Sequence, residues 1–175
     1  VGCIFGFGYF ISNLYWITNS LTFDVNFKFI IPFALILIPT FLGIFYGLVT
    51  FLCNFFNLKN KFSSILIFSI FFGSFEFLRS FIFGGFPWNL TVFSLSNYLS
   101  SLQILSYIGT YTLNLLSITI FLLPIIFFFN YKSSTRYLII CFCLILVVLN
   151  FLYGSLNIKN FEKKKYDNLD SVIRV

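Results

Sequence analysis

Five stretches of this chain are each long and apolar enough to cross a lipid bilayer, and nothing else in it restricts the fold as strongly. A spanning helix needs about 20 mainly apolar residues to cover a hydrocarbon core of about 30 Å. Inside lipid every backbone polar group has to be bonded within the protein, and a helix does so within one segment. The spans run roughly over residues 1–19, 29–56, 62–83, 102–129 and 137–153. Charged residues make up only 9% of the 175 residues, and 59% are hydrophobic; a soluble domain is about a quarter charged. The expected fold is therefore all-α, a polytopic membrane helix bundle of about five transmembrane helices occupying residues 1–156.

The side-chain inventory removes several chemistries. There is no His, and the four cysteines, Cys3, Cys53, Cys141 and Cys143, all lie in apolar segments without a CxxC pair. They read as small buried hydrophobes, so neither a metal site, a disulfide nor a cofactor is expected. A net charge of +6 without a continuous basic groove suits basic loops and gives no reason to expect nucleic acid as a partner. The 29 Phe residues follow from a base-composition bias as readily as from any function. No Met is present and Val1 opens inside an apolar run, so a fragment of a longer protein is expected.

Lys and Arg in short loops mark the cytoplasmic side. Lys59 and Lys61 lie in the second joint and Lys132 and Arg136 in the fourth, whereas the third joint has no Lys or Arg. The second and fourth joints are expected in the cytoplasm, and the third joint and the tail outside. The tail is a basic linker over residues 157–171, with Lys159 and Lys163 to Lys165, and its last residues, 172–175, alternate as the first strand of a further domain would. Its charges argue for the inside unless it leads into a large exported domain.

Charges within a span are rare and are paired or functional. Glu76 and Arg79 stand in the third span, roughly 10 Å and 6 Å from its outer end, and their i to i+3 spacing places them on one face. Two readings stay open: an ion pair anchoring the helix, or a polar patch lining an outward cavity for an anionic, phosphate-bearing ligand. In the fourth span Gln103, Ser106, Thr110, Asn114 and Ser117 fall on one stripe. The first span has Gly2, Gly6, Tyr9, Asn13 and Trp16 in the same kind of register, and the second has Gly43 and Gly47, so closely approaching helix pairs are expected.

The stretch FIFGGFPWNL, residues 81–90, ends the third span. Gly84 and Gly85 release the chain from helix geometry, and Pro87 removes a donor and pushes Phe86 toward extended backbone. Irregular backbone is tolerated only where protein or water satisfies it. The turn is therefore expected at the outer interface, where Trp88 suits the headgroup region.

Taken in order, GFGYFISNLYWI, FEFLRSFIFGGFPWN, LQILSYIGTYTLNLL and the closing VIRV resemble the membrane domain of bacterial apolipoprotein N-acyltransferase. The E-x-x-R element followed by the FPW turn is the most specific piece. The resemblance implies a bacterial inner-membrane enzyme that moves an acyl chain from a phospholipid to the N-terminal diacylglyceryl-cysteine of a lipoprotein. It also implies that a nitrilase-like α/β domain, absent from this chain, carries a Glu-Lys-Cys triad forming a thioester acyl-enzyme. No residue here is then catalytic, and the chain by itself is expected to be inactive. By the same resemblance Glu76, Arg79, Gly85, Phe86, Pro87 and Trp88 are substrate-binding candidates. The implied partners are the phospholipid donor, the lipoprotein and membrane lipid. Gln103, Gly109 and Asn114 match weaker positions, while Ser80 and Thr112 stand where the family pattern leads one to expect glycine. Two other classes fit the residues alone: a small transporter or channel component, favoured by Pro39 and the fourth-span stripe, and a membrane scaffold built on the small-residue seams.

Overall fold

The structure, a computed structural model, describes residues 1–56, 58, 61–82 and 89–169, with side chains through Lys163. The chain divides into two compact units, Val1–Leu90 and Thr91–Val175. Among the described residues every regular element is helical, and four helices are long and apolar enough to cross a membrane: Val25–Phe55, Phe62–Phe81, Thr110–Phe128 and Ser133–Lys163. The chain is an all-α membrane helix bundle.

The first unit holds α1 (Gly2–Leu14), α2 (Ile31–Phe55) and α3 (Phe62–Phe81). The first apolar segment keeps α geometry only to Leu14 and continues as a 3-10 helix over Tyr15–Thr22. A second 3-10 segment, Val25–Ile30, starts where the Asp24 carboxylate accepts the Asn26 N–H at 2.9 Å. It runs directly into α2, whose first turn carries Pro32, a residue without an N–H at a place where no partner is needed. The core is aromatic and aliphatic: Phe10 and Leu14 of α1 pack with Leu42, Phe45 and Tyr46 of α2. Phe72 of α3 lies against Tyr46 with ring centroids 4.6 Å apart. Ile36, Leu37 and Phe51 of α2 point outward, as apolar side chains do when lipid is the solvent.

Glycine brings α1 and α2 together. A Cβ on Gly6 would lie 2.7 Å from the Gly43 Cα, and one on Gly43 would lie 2.9 Å from the Phe7 backbone nitrogen. The small-residue seam read from the sequence is thus formed by Gly2, Cys3 and Gly6 of α1 against Gly43, Tyr46, Gly47 and Thr50 of α2. It does not extend along the whole stripe: Asn13, still within α1, is exposed, and so is Trp16 in the 3-10 segment, where the tighter winding rotates the register.

The second unit holds α4 (Leu99–Leu102), α5 (Leu105–Ile108), α6 (Thr110–Phe121) and α7 (Ser133–Leu169), with 3-10 segments at Thr91–Leu95 and Leu123–Phe128. The fourth span was expected as one helix over 102–129 with five polar residues on one stripe. The structure breaks it at Gly109, whose φ of 77° is a left-handed value that glycine adopts without strain. Only the part after the break keeps the pattern. Asn114 and Ser117 are buried, whereas Ser106 is exposed and donates to the Gln103 carbonyl of its own turn at 3.0 Å.

Helix α7 runs 37 residues without interruption. It continues through the positions read as a linker, 157–169, and the strand expected over 172–175 lies outside the described residues. Where α7 passes α4 the backbones are in contact: a Cβ on Gly154 would overlap the Ser100 carbonyl. Two polar contacts join the same seam, Asn150 Nδ2 donating to the Ser101 carbonyl at 3.0 Å and the Ser155 and Ser100 hydroxyls meeting at 3.3 Å.

Candidate functional site

The residues singled out in the third span are brought together in the interior of the first unit. Glu76 and Arg79 stand one turn apart on α3, and each is only 1% exposed. Both are among the largest fully buried side chains of the molecule. A charge at membrane depth is costly, so its surroundings have to be polar or aromatic. The Tyr46 hydroxyl of α2 donates to Glu76 Oε1 at 3.2 Å. The Arg79 guanidinium carbon lies 5.2 Å from the centre of the Phe10 ring of α1, within the range of a cation–π contact.

An aromatic cluster surrounds the pair. The Tyr46 ring lies 5.2 Å from that of Phe10 and 5.8 Å from that of Tyr9, and Tyr9 meets Phe10 edge-on at 5.2 Å. Tyr9 reaches further: its hydroxyl donates to the Asn89 carbonyl at 3.2 Å, across 80 residues of sequence. Asn89 has φ 57°, a left-handed value that Asn tolerates better than most residues. The residue after the FPW turn is thus tied to the first helix of the chain.

Each side chain of the charged pair is 1% exposed, Glu76 meeting α2 through Tyr46 and Arg79 meeting α1 through Phe10. Gly85, Phe86, Pro87 and Trp88, the other candidates, lie outside the described residues. Tyr46 and Phe10 were not foreseen. Phe10 is one of 29 identical residues, and Tyr46 sits between two seam glycines with nothing local to distinguish it. Tyr9 was legible as part of the first-span stripe.

In the second unit, Asn114 Oδ1 accepts the Val92 N–H at 2.9 Å, and both residues are fully buried. The 3-10 segment Thr91–Leu95 would otherwise begin with an unsatisfied buried donor. Arg136, at the start of α7, plays a comparable part: its guanidinium donates to the Phe129 carbonyl at 3.0 Å and to that of Tyr131 at 3.5 Å, and lies over the Phe127 ring. Among the described residues no group of three His, Cys, Asp or Glu could hold a metal ion.

Residues 1–123 match the family model described as apolipoprotein N-acyltransferase N-terminal domain. The apolipoprotein N-acyltransferase of Brucella melitensis biotype 1 is 35% identical over 125 residues, covering 71% of this chain and 23% of that protein. The enzyme of the same name from Sinorhizobium medicae is 33% identical over 125 residues, covering 71% and 23%. That of Rickettsia bellii is 36% identical over 163 residues, covering 91% and 32%. The chain therefore spans about a quarter to a third of the length of these curated relatives. No solved structure matches it.

Proposed function

The chain belongs to the apolipoprotein N-acyltransferase family through its N-terminal membrane domain, and on that premise we infer that it is the membrane part of an enzyme transferring an acyl chain from a phospholipid to the N-terminal diacylglyceryl-cysteine of lipoproteins. The family match over residues 1–123 carries this reading. The Glu-Lys-Cys chemistry belongs to a nitrilase-like domain outside this chain. The cysteines here support that division, because each lies in an apolar helix and a nucleophilic thiol needs an adjacent base.

In this reading the third joint and the tail face the periplasm of a bacterial inner membrane. The Gly85-Phe86-Pro87-Trp88 turn contributes to the lipid entrance. Glu76 and Arg79 act from below it, holding α3 against α1 and α2 so that the turn starts from a fixed helix end. The transport alternative would need a broken helix near the bilayer midplane. The break at Gly109 instead lies at the edge of the Thr110–Phe128 span.

The experiment replaces Trp88 with Ala in the full-length acyltransferase and follows N-acylation of a diacylglyceryl lipoprotein. Activity should fall strongly at unchanged protein level, and wild-type activity would remove the turn from the site. A cysteine placed at position 88 should react with a membrane-impermeant reagent added from the periplasm; reaction from the cytosolic side only would reverse the proposed topology.

A further inference from the structure

Both ends of α7 are basic, yet only one end of a membrane-crossing helix can lie in the cytoplasm. The inward preference of Lys and Arg therefore explains one cluster and leaves the other without a purpose. The geometry separates the two. Between Arg136 and Lys159 the helix carries no charged residue, and at 1.5 Å per residue this interval measures about 35 Å. It covers a hydrocarbon core of about 30 Å and leaves each basic end at headgroup depth.

The two ends differ in what their charges do. Arg136 is half-buried and committed to the Phe129 and Tyr131 carbonyls. Lys159 and Lys163 are exposed, one helical turn apart on the same face, and among the described residues they enter no hydrogen bond or ion pair. Glu162 is exposed beside them, but Lys164 and Lys165 follow directly, so the stretch stays positive.

We propose that Lys159 and Lys163 form a headgroup-binding collar at this end of α7, taking the phosphate of anionic phospholipids. Lysine donates three hydrogens from a compact point charge, which suits a phosphodiester in the interface, and its aliphatic stem lies along the apolar helix surface below. A basic residue near an anionic membrane surface contributes about 1 kcal/mol. The proposal needs only that α7 crosses the bilayer, so it stands or falls separately from the acyltransferase reading.

The test places the full chain in nanodiscs of equal parts phosphatidylcholine and phosphatidylglycerol and weighs the lipids that remain bound, by native mass spectrometry. The wild type should retain phosphatidylglycerol preferentially, and the preference should fade in high salt. K159Q/K163Q should lower it by about fivefold per lysine with the helical circular dichroism unchanged, and K159R/K163R should restore it. An equal lipid ratio for the wild type and K159Q/K163Q would overturn the collar. So would a wild-type preference that salt leaves untouched, or one that inorganic phosphate removes at an ionic strength where chloride does not, since the latter describes a free-anion site.

Discussion

The Tyr46 hydroxyl meets the Glu76 carboxylate at 3.2 Å inside the first unit, so α2 and α3 are joined by a buried polar contact as well as by aromatic packing. Interhelical hydrogen bonds in membranes average only about 0.6 kcal/mol, whereas bonds to a charged group are worth about 1.5–3 kcal/mol. Tyr46→Phe keeps the ring among Phe10 and Phe72 and removes only the donor. It should destabilise the chain by about 1–2 kcal/mol, between those two limits. Unfolding in mixed micelles of rising dodecyl sulfate content measures this, and an unshifted midpoint would show the bond to be idle.

Two glycines in α1 should answer differently to the same substitution. Gly6→Ala directs a methyl into the Gly43 backbone, which cannot turn aside, and overpacking of this kind costs about 1–3 kcal/mol. A Cβ on Gly8 meets nothing within 4 Å, so Gly8→Ala should be neutral or stabilising by up to about 1 kcal/mol through helix propensity. Thermal unfolding of both variants in detergent checks the pair, and equal losses would contradict the close α1–α2 approach.

Asn114→Leu keeps the branched side-chain shape and removes the acceptor of the buried Val92 N–H. A buried donor without a partner costs about 1–3 kcal/mol, and the effect should be local. Hydrogen exchange should accelerate over Thr91–Leu95 more than in α7. A uniform change across both segments would mean that Asn114 acts through global stability.

Asn89 tests the link to α1. With φ at 57°, Asn89→Gly should be tolerated, whereas Asn89→Val should cost about 1–2 kcal/mol more, because a β-branched residue resists the left-handed region. Chemical unfolding of the two variants compares them directly. If valine proves as stable as glycine, the backbone at this position is not held left-handed.

The site was partly legible in the sequence. Charges are scarce enough in an apolar helix that Glu76 and Arg79 identify themselves, and their i to i+3 spacing fixes a shared face in any helix. Their partners carry no such mark. Phe10 comes near the pair where Gly6 and Gly43 let α1 and α2 approach closely, and Tyr46 where α2 packs on α3. The stripe Gln103 to Ser117 failed above Gly109 for a related reason. Helical periodicity assumes constant winding, and glycine permits a conformation that resets the register.

Hydrophobicity summed over about 20 residues is a property of composition, so the amino-acid order alone determined that this chain is a bundle of membrane helices, and loop charge alone suggested which way it faces. Tertiary structure decided what the chain does with its few polar groups. It placed Tyr46 on Glu76, Phe10 under Arg79, Tyr9 on Asn89 and Asn114 on Val92. Each of these contacts joins residues at least 22 positions apart, a distance over which no local pattern operates. Lipid cannot satisfy a polar group; hydroxyls such as Ser69 and Thr40 bond back to their own helix, whereas these four contacts reach another helix or turn.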